Sequence, residues 1–138
     1  MKKNNFDVNE ICPCTITIAM LSSKWKILIM RELLKGTERF GDLKRNVIGV
    51  SQKMLTQSLR EMERDGLVNR KIYPEVPPRV EYKLTNVGES MRQIILMLDG
   101  WGTKYIEEND PEYIKERFNI DLTENSWMKA PDNEINIK

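Results

Sequence analysis

The chain has 138 residues, 40% of them hydrophobic and 31% charged, with a net charge of +1. That length suits one domain with a real core and a short appendage. Its longest apolar run, residues 94–98, is far too short to span a membrane, and the absence of histidine removes the usual catalytic base and the commonest metal ligand.

Lys2 and Lys3 are followed by no apolar stretch, so nothing in the opening residues directs export and a cytoplasmic location is expected. The charges are segregated. Residues 24–79 hold thirteen Lys/Arg against seven Asp/Glu, a net of +6, whereas residues 107–138 hold four against nine, a net of −5. A basic body beside an acidic tail suits a polyanion on one face, although a solvated surface can also divide this way.

In chain order, Pro13 suits the first turn of a short helix that follows Cys12, with Ile16, Met20 and Leu21 as its apolar stripe. Residues 25–35 predict a second helix, stopped by Gly36, with Trp25, Leu28, Ile29 and Leu33 inward and Lys26 and Arg31 outside. Residues 40–47 are long enough for the first helix of a helix-turn-helix. Phe40 and Leu43 would point inward, leaving Lys44 and Arg45 free for phosphates, and Ile48-Gly49-Val50 would form the turn.

Residues 51–65 carry the clearest signal. Leu55, Leu59 and Met62 recur at helical spacing, while Gln52, Lys53, Thr56, Gln57, Arg60 and Arg64 form a polar, basic opposite face. Ser51 is a good N-cap and Gly66 a good stop. Residues 67–73 and 80–84 have strand character, and the three prolines of Pro74-Glu75-Val76-Pro77-Pro78-Arg79 belong in the loop between them. A helix, a tight stop and a ribbon with Arg79 at its tip is the order of a winged helix-turn-helix.

Residues 86–108 predict the longest helix. Val87, Met91, Ile94, Leu98, Trp101 and Tyr105 fall on a heptad seam, and Ile95, Leu96 and Met97 widen it beyond what so small a domain can cover. The surplus points to a second subunit, the alternative being that it packs on the chain's own first helix. Gly100 and Gly102 would leave room for close packing. Asp110-Pro111 restarts a short helix through Phe118, with Tyr113, Ile114 and Phe118 apolar, and beyond Asn119 a polar tail with Trp127 as its one large anchor is expected to fray.

Five stretches carry a family resemblance: Cys12-Pro13, Lys24-Trp25-Lys26, Arg39-Phe40-Gly41-Asp42-Leu43, Ser51-Gln52-Lys53-Met54-Leu55-Thr56 and Pro74-Glu75-Val76-Pro77-Pro78-Arg79-Val80-Glu81-Tyr82. In order and spacing they resemble the HxlR-type, MarR-like winged-helix transcription regulators of bacteria, over residues 12–101. The resemblance implies a dimeric, sequence-specific binder of double-stranded DNA, usually a repressor and sometimes an activator. Some regulators of this type use a cysteine at the position of Cys12 to sense oxidants or electrophiles. The polar tail exceeds the family pattern.

The residues support that picture chemically. A thiol at a helix start feels the unpaired amides and the positive end of the dipole, which favours the thiolate. An inert Cys12 stays open as an alternative, and Cys14 is either a resolving thiol or packing. Two cysteines at i, i+2 cannot supply a four-ligand zinc site, and the scattered glycines form no phosphate loop, so no metal or cofactor is expected.

The expected fold is mainly α (α+β): a winged helix-turn-helix with a two-stranded β wing and a long C-terminal dimerisation helix. Residues 1–108 would form the DNA-binding and dimerisation domain, and residues 109–138 a short helix plus tail. Ser51, Gln52, Lys53, Thr56, Gln57, Arg60, Arg79, Lys44 and Arg45 are the candidate DNA contacts of a homodimer on an inverted repeat. A protein-contact winged helix, or a thiol oxidoreductase using Cys12 and Cys14, would leave the +6 segment without a purpose.

Overall fold

A computed structural model describes residue 7 and residues 9–120. The opening lysines and the tail around Trp127, with the expectation of a frayed end, lie outside the described residues. Seven helices and three strands follow one another among those described: α1 (Pro13–Met20), α2 (Lys24–Leu33), β1 (Glu38–Arg39), α3 (Phe40–Asn46), α4 (Gln52–Arg64), β2 (Val68–Tyr73), β3 (Arg79–Leu84), α5 (Asn86–Glu89), α6 (Arg92–Glu107) and α7 (Pro111–Phe118). This is a winged helix-turn-helix, mostly helical with a small antiparallel sheet.

The core is made where α2, α4 and the hairpin meet. Ile29, Met30, Leu33, Leu43, Leu55, Leu59, Met62 and Leu67 are each at most 1% exposed. Every such side chain contributes roughly 1.5–3 kcal/mol by leaving water. Both ends of α4 are fixed by capping. The Ser51 hydroxyl accepts from the Met54 amide at 3.1 Å. At the other end the Gly66 amide donates to the Glu63 carbonyl and the Leu67 amide to the Met62 carbonyl, at 3.0 and 2.9 Å. That pattern is a Schellman stop, and it needs a left-handed residue, here Gly66 at φ +78°.

The stop feeds directly into the hairpin. β2 and β3 pair from Val68 opposite Leu84 to Tyr73 opposite Arg79. A third strand lies outside β3, giving the order β1-β3-β2. Two residues are too few to show a period, so β1 is not visible in the sequence. The Thr85 hydroxyl donates to the Gly66 carbonyl and accepts from the Gly88 amide, tying the hairpin's exit to the end of α4. Gly88 is required there, since a Cβ would stand 2.2 Å from the Leu67 carbonyl oxygen.

Three expectations need correction. The helix drawn over residues 86–108 is two helices, because the Met91 amide bonds three residues back to Gly88 rather than four, a tightened turn that re-aims the chain. Met91 thereby enters the core at 7% exposure and leaves the seam assigned to it. Lys26 and Arg31 are not outside. Lys26 is 6% exposed, and Arg31 Nε donates to both Asp99 carboxylate oxygens at 3.0 Å, tying α2 to α6. Finally, α1 buries none of its residues: Ile16 and Ile18 are 55% and 67% exposed, and the seam does not close against it.

A carboxyl pair links α2 to β1. Glu32 accepts from Lys35 Nζ at 2.9 Å and Asn46 Nδ2 at 3.1 Å. Burial alone would raise its pKa, but hydrogen bonds from Glu38 and Lys35 outweigh that and hold it below the usual range. Glu38 finds no donor for its buried Oε2. Its carboxyl neighbours that of Glu32, and two acceptors share a hydrogen bond only if one holds a proton. Burial and then the Glu32 carboxyl push Glu38 up to about 8. A folded pKa above the unfolded value gives stability that is complete below about 4.5 and lost as pH rises towards 8. With no histidine, few other groups titrate in that window. The melting temperature of the wild type should therefore fall between pH 5 and 8.5, and that of Glu38→Gln should fall measurably less. Parallel curves for the two would disprove the shared proton.

Candidate nucleic-acid interface

Burial of Leu55, Leu59 and Met62 leaves the opposite face of α4 to solvent. Gln52, Lys53, Gln57, Arg60 and Arg64 are exposed and Thr56 is half-buried. Together with Glu61 these side chains line an open groove of about 780 Å³. Ser51 stands at its head, with its hydroxyl oxygen engaged in the cap. Among the described residues no carboxylate pairs with Lys53 or Arg60, so their charges face solvent unopposed.

Other predicted contacts are less free. Lys44 is exposed on α3, but Arg45, 73% exposed, forms an ion pair with Asp42. Arg79 is more enclosed than a wing tip requires. Its guanidinium lies 4.0 Å from the Tyr73 ring centroid and within 3.3 Å of Glu75 and 3.4 Å of Glu81. Its Nε is buried without a hydrogen bond. Two carboxylates beside one guanidinium offset its charge, an electrostatic cost to any phosphate contact.

Two further residues adjoin these contacts. Lys71 is exposed on β2 and its ammonium sits 4.8 Å from the Tyr73 ring centroid, on the strand face shared with Tyr73. The period-two alternation of residues 69–73 was the available signal. Glu61 lies at the edge of the groove and binds buried Lys26 of α2, Oε2 to Nζ, at 2.6 Å. Gln57 Nε2 also donates to Glu61 Oε1 at 3.3 Å. Lys26 and then Gln57 hold the Glu61 carboxyl below its usual pKa. Nothing in local periodicity announces a contact between α2 and α4.

Away from the groove, Cys12 is the N-cap of α1 and Cys14 lies in its first turn, both exposed. The Cys12 thiol is held below its ordinary pKa, first by the Cys14 amide and then by the Cys14 thiol, without the geometry of a capping hydrogen bond. Of the predicted seam, Val87, Ile94, Leu98 and Trp101 are exposed and Tyr105 is half-buried. Trp101 and Tyr105 stack at 5.4 Å.

A model of HxlR-like helix-turn-helix proteins matches residues 20–110. The chain belongs to the HxlR-like helix-turn-helix family. Its relatives include the HTH-type transcriptional regulator YtfH of Escherichia coli strain K12, 45% identical over 108 residues, 78% of this chain and 82% of that one. Among solved structures, a MarR-family transcriptional regulator from Porphyromonas gingivalis W83 aligns with a TM-score of 0.66 at 39% identity, covering 73% of this chain and 97% of that chain. The redox regulator HypR in its oxidised form aligns at 0.65 and 37% identity, covering 72% and 99%. This HxlR-like chain is a DNA-binding transcriptional regulator and not an enzyme. No helix among its described residues is long and apolar enough to cross a membrane.

The unequal freedom of the cations sets a test. Arg60→Ala should weaken binding to all sequences and reduce the slope of log affinity against log salt by about 1. Arg79→Ala should change that slope by less than half as much, because Glu75 and Glu81 already oppose its charge. Titrations by fluorescence anisotropy at four salt concentrations would check both.

Proposed function

We propose that the chain acts as a homodimeric repressor that sets α4 of each subunit into successive major grooves of an inverted-repeat operator, with Cys12 as an oxidant- or electrophile-sensitive thiol. The observation that carries this reading is the division of the surface: the polar, basic groove on α4 is open at one place, and an apolar surface is open at another. Leu98 is 50% exposed, Met97 57% and Trp101 71% on α6. Water contact over so many large apolar groups is costly, and an identical subunit relieves it on both copies at once. Residues 1–108 would be the working unit and residues 109–138 an appendage. Its place of work would be the cytoplasm, where the DNA is.

Gln52, Lys53 and Gln57 fit base-edge contacts in the major groove, with Thr56 and Ser51 near the backbone and Arg60, Lys44, Arg45 and Arg79 towards phosphates. Recognition helices about 34 Å apart would read half-sites one turn of DNA apart. Ile94, Leu98, Trp101 and Tyr105 of α6, with Val87 of α5, remain the interface candidates once Met91 is removed. Leu98→Glu should convert a dimer to a monomer by sedimentation and lower affinity for the full inverted repeat by about 100-fold or more, with half-site binding retained. A monomeric wild type that binds one half-site as tightly as two would sink the dimer.

The redox part rests on the exposed Cys12 at the start of α1 and on likeness to HypR, itself a redox regulator. A group added to Cys12 sits on a helix with no fully buried residue, where it would disturb packing between subunits, and a rotation between them would take one α4 out of register. Mild oxidant or a quinone should lower the operator affinity of the wild type and Cys14→Ser by about tenfold or more. Cys12→Ser should not respond. An equal response from Cys12→Ser returns that residue to a structural role.

A further inference from the structure

We infer that buried Lys26, acting through Glu61, holds the Gln57 amide with its oxygen outward and so sets the recognition helix to take adenine at the base pair Gln57 meets. This rests on the reading of α4 as the base-contacting helix. It adds a positioning residue from α2, far from the groove in sequence, and commits one side chain to one base.

The geometry is a chain of three groups. Lys26 is 6% exposed, and its ammonium lies 2.6 Å from Glu61 Oε2. An ammonium so enclosed needs a countercharge, so the carboxylate cannot swing away without leaving it unpaired. Glu61 is thereby fixed, and its other oxygen, Oε1, accepts from Gln57 Nε2 at 3.3 Å. The direction of an amide is ordinarily a matter of assignment, since its oxygen and nitrogen look alike. Here the partner decides it. An ionised carboxylate has acceptors only, so the Gln57 nitrogen must face Glu61 and the Gln57 oxygen must face away.

With one N–H committed, Gln57 keeps one N–H and its oxygen for DNA. Adenine offers the matching pair in the major groove, an N6 amine that donates and an N7 that accepts. Guanine offers two acceptors, O6 and N7, and would need the amide reversed, with its oxygen against the Glu61 carboxylate. That repulsion is a built-in penalty against guanine, and it costs nothing in adenine's case. Gln57 is exposed, so the bond to Glu61 is weak by itself. The buried end of the relay is what gives it direction.

The experiment is selection of binding sites from randomised DNA by the full chain and its variants, followed by affinities for the adenine and guanine versions of the selected site. Gln57→Ala locates the position. There the wild type should prefer adenine to guanine by about tenfold. Glu61→Gln, whose neutral amide accommodates either direction, should reduce the ratio to about twofold, and Lys26→Met should move it the same way. The two substitutions change net charge in opposite directions, so a common effect on the ratio is not an effect of charge. Lys26→Arg, which keeps a cation against Glu61, should retain the preference. Should Lys26→Met fail to fold, Glu61→Gln alone decides. A ratio unchanged in Glu61→Gln overturns the relay while leaving α4 as the base reader. A Gln57→Ala that alters preference at no position overturns Gln57's base contact and the relay with it, and only a Gln52→Ala, Lys53→Ala, Gln57→Ala triple variant with unaltered preference overturns α4 as the base reader.

Discussion

Everything in this chain depends on the packing of one face of α4 against α2 and the hairpin. Leu55, Leu59 and Met62 are at most 1% exposed, and truncating any one to alanine would cost roughly 2–5 kcal/mol. That burial orients the helix. With three apolar groups locked inward, Gln52, Lys53, Gln57 and Arg60 have only the outward side left to occupy. The Schellman stop at Gly66 turns the chain at once into β2, and Thr85 and Gly88 bring the end of the hairpin back onto the same corner. The wing is thus held to α4 through the main chain at Gly66 and Leu67.

The ion pairs divide into those that build and those that stay available. Lys26 with Glu61 and Arg31 with Asp99 join helices across the core and are largely enclosed. They contribute geometry more than net stability, since desolvation offsets much of the attraction. Lys53 and Arg60 stay unopposed, and they are the cations a phosphate backbone would find first. Arg79 falls between these cases. Its stacking on Tyr73 and its two carboxylate neighbours shape the wing, at the expense of the charge it can offer.

The other unfinished surface is apolar. The α1 helix has no fully buried residue, and α6 turns Ile95 and Leu96 inward while Leu98 and Trp101 remain in water. Cys12, the thiol with the lowered pKa, caps that first helix.

The sequence by itself determined the elements whose signals are local. The period of Leu55, Leu59 and Met62, the Ser51 and Gly66 caps, the prolines of the loop and the Pro13 helix start were all legible, because each rests on neighbours within about one turn or one hairpin. The resemblance carried by motifs such as Lys24-Trp25-Lys26 and Ser51-Gln52-Lys53-Met54-Leu55-Thr56 led to the family, which the comparisons then established. Tertiary structure alone decided the break at Met91, the strand β1, the enclosure of Lys26 and Arg31 and the neutralising of Arg79. In most of these the deciding partner is distant in sequence: Glu61 for Lys26, Asp99 for Arg31, Tyr82 opposite Glu38, the core itself for Met91. For Arg79 it is near, but only the folded hairpin brings Tyr73, Glu75 and Glu81 around one guanidinium. Periodicity reports which face of an element is apolar, and it is blind to a polar side chain whose burial is made tolerable by a charge arriving from another helix.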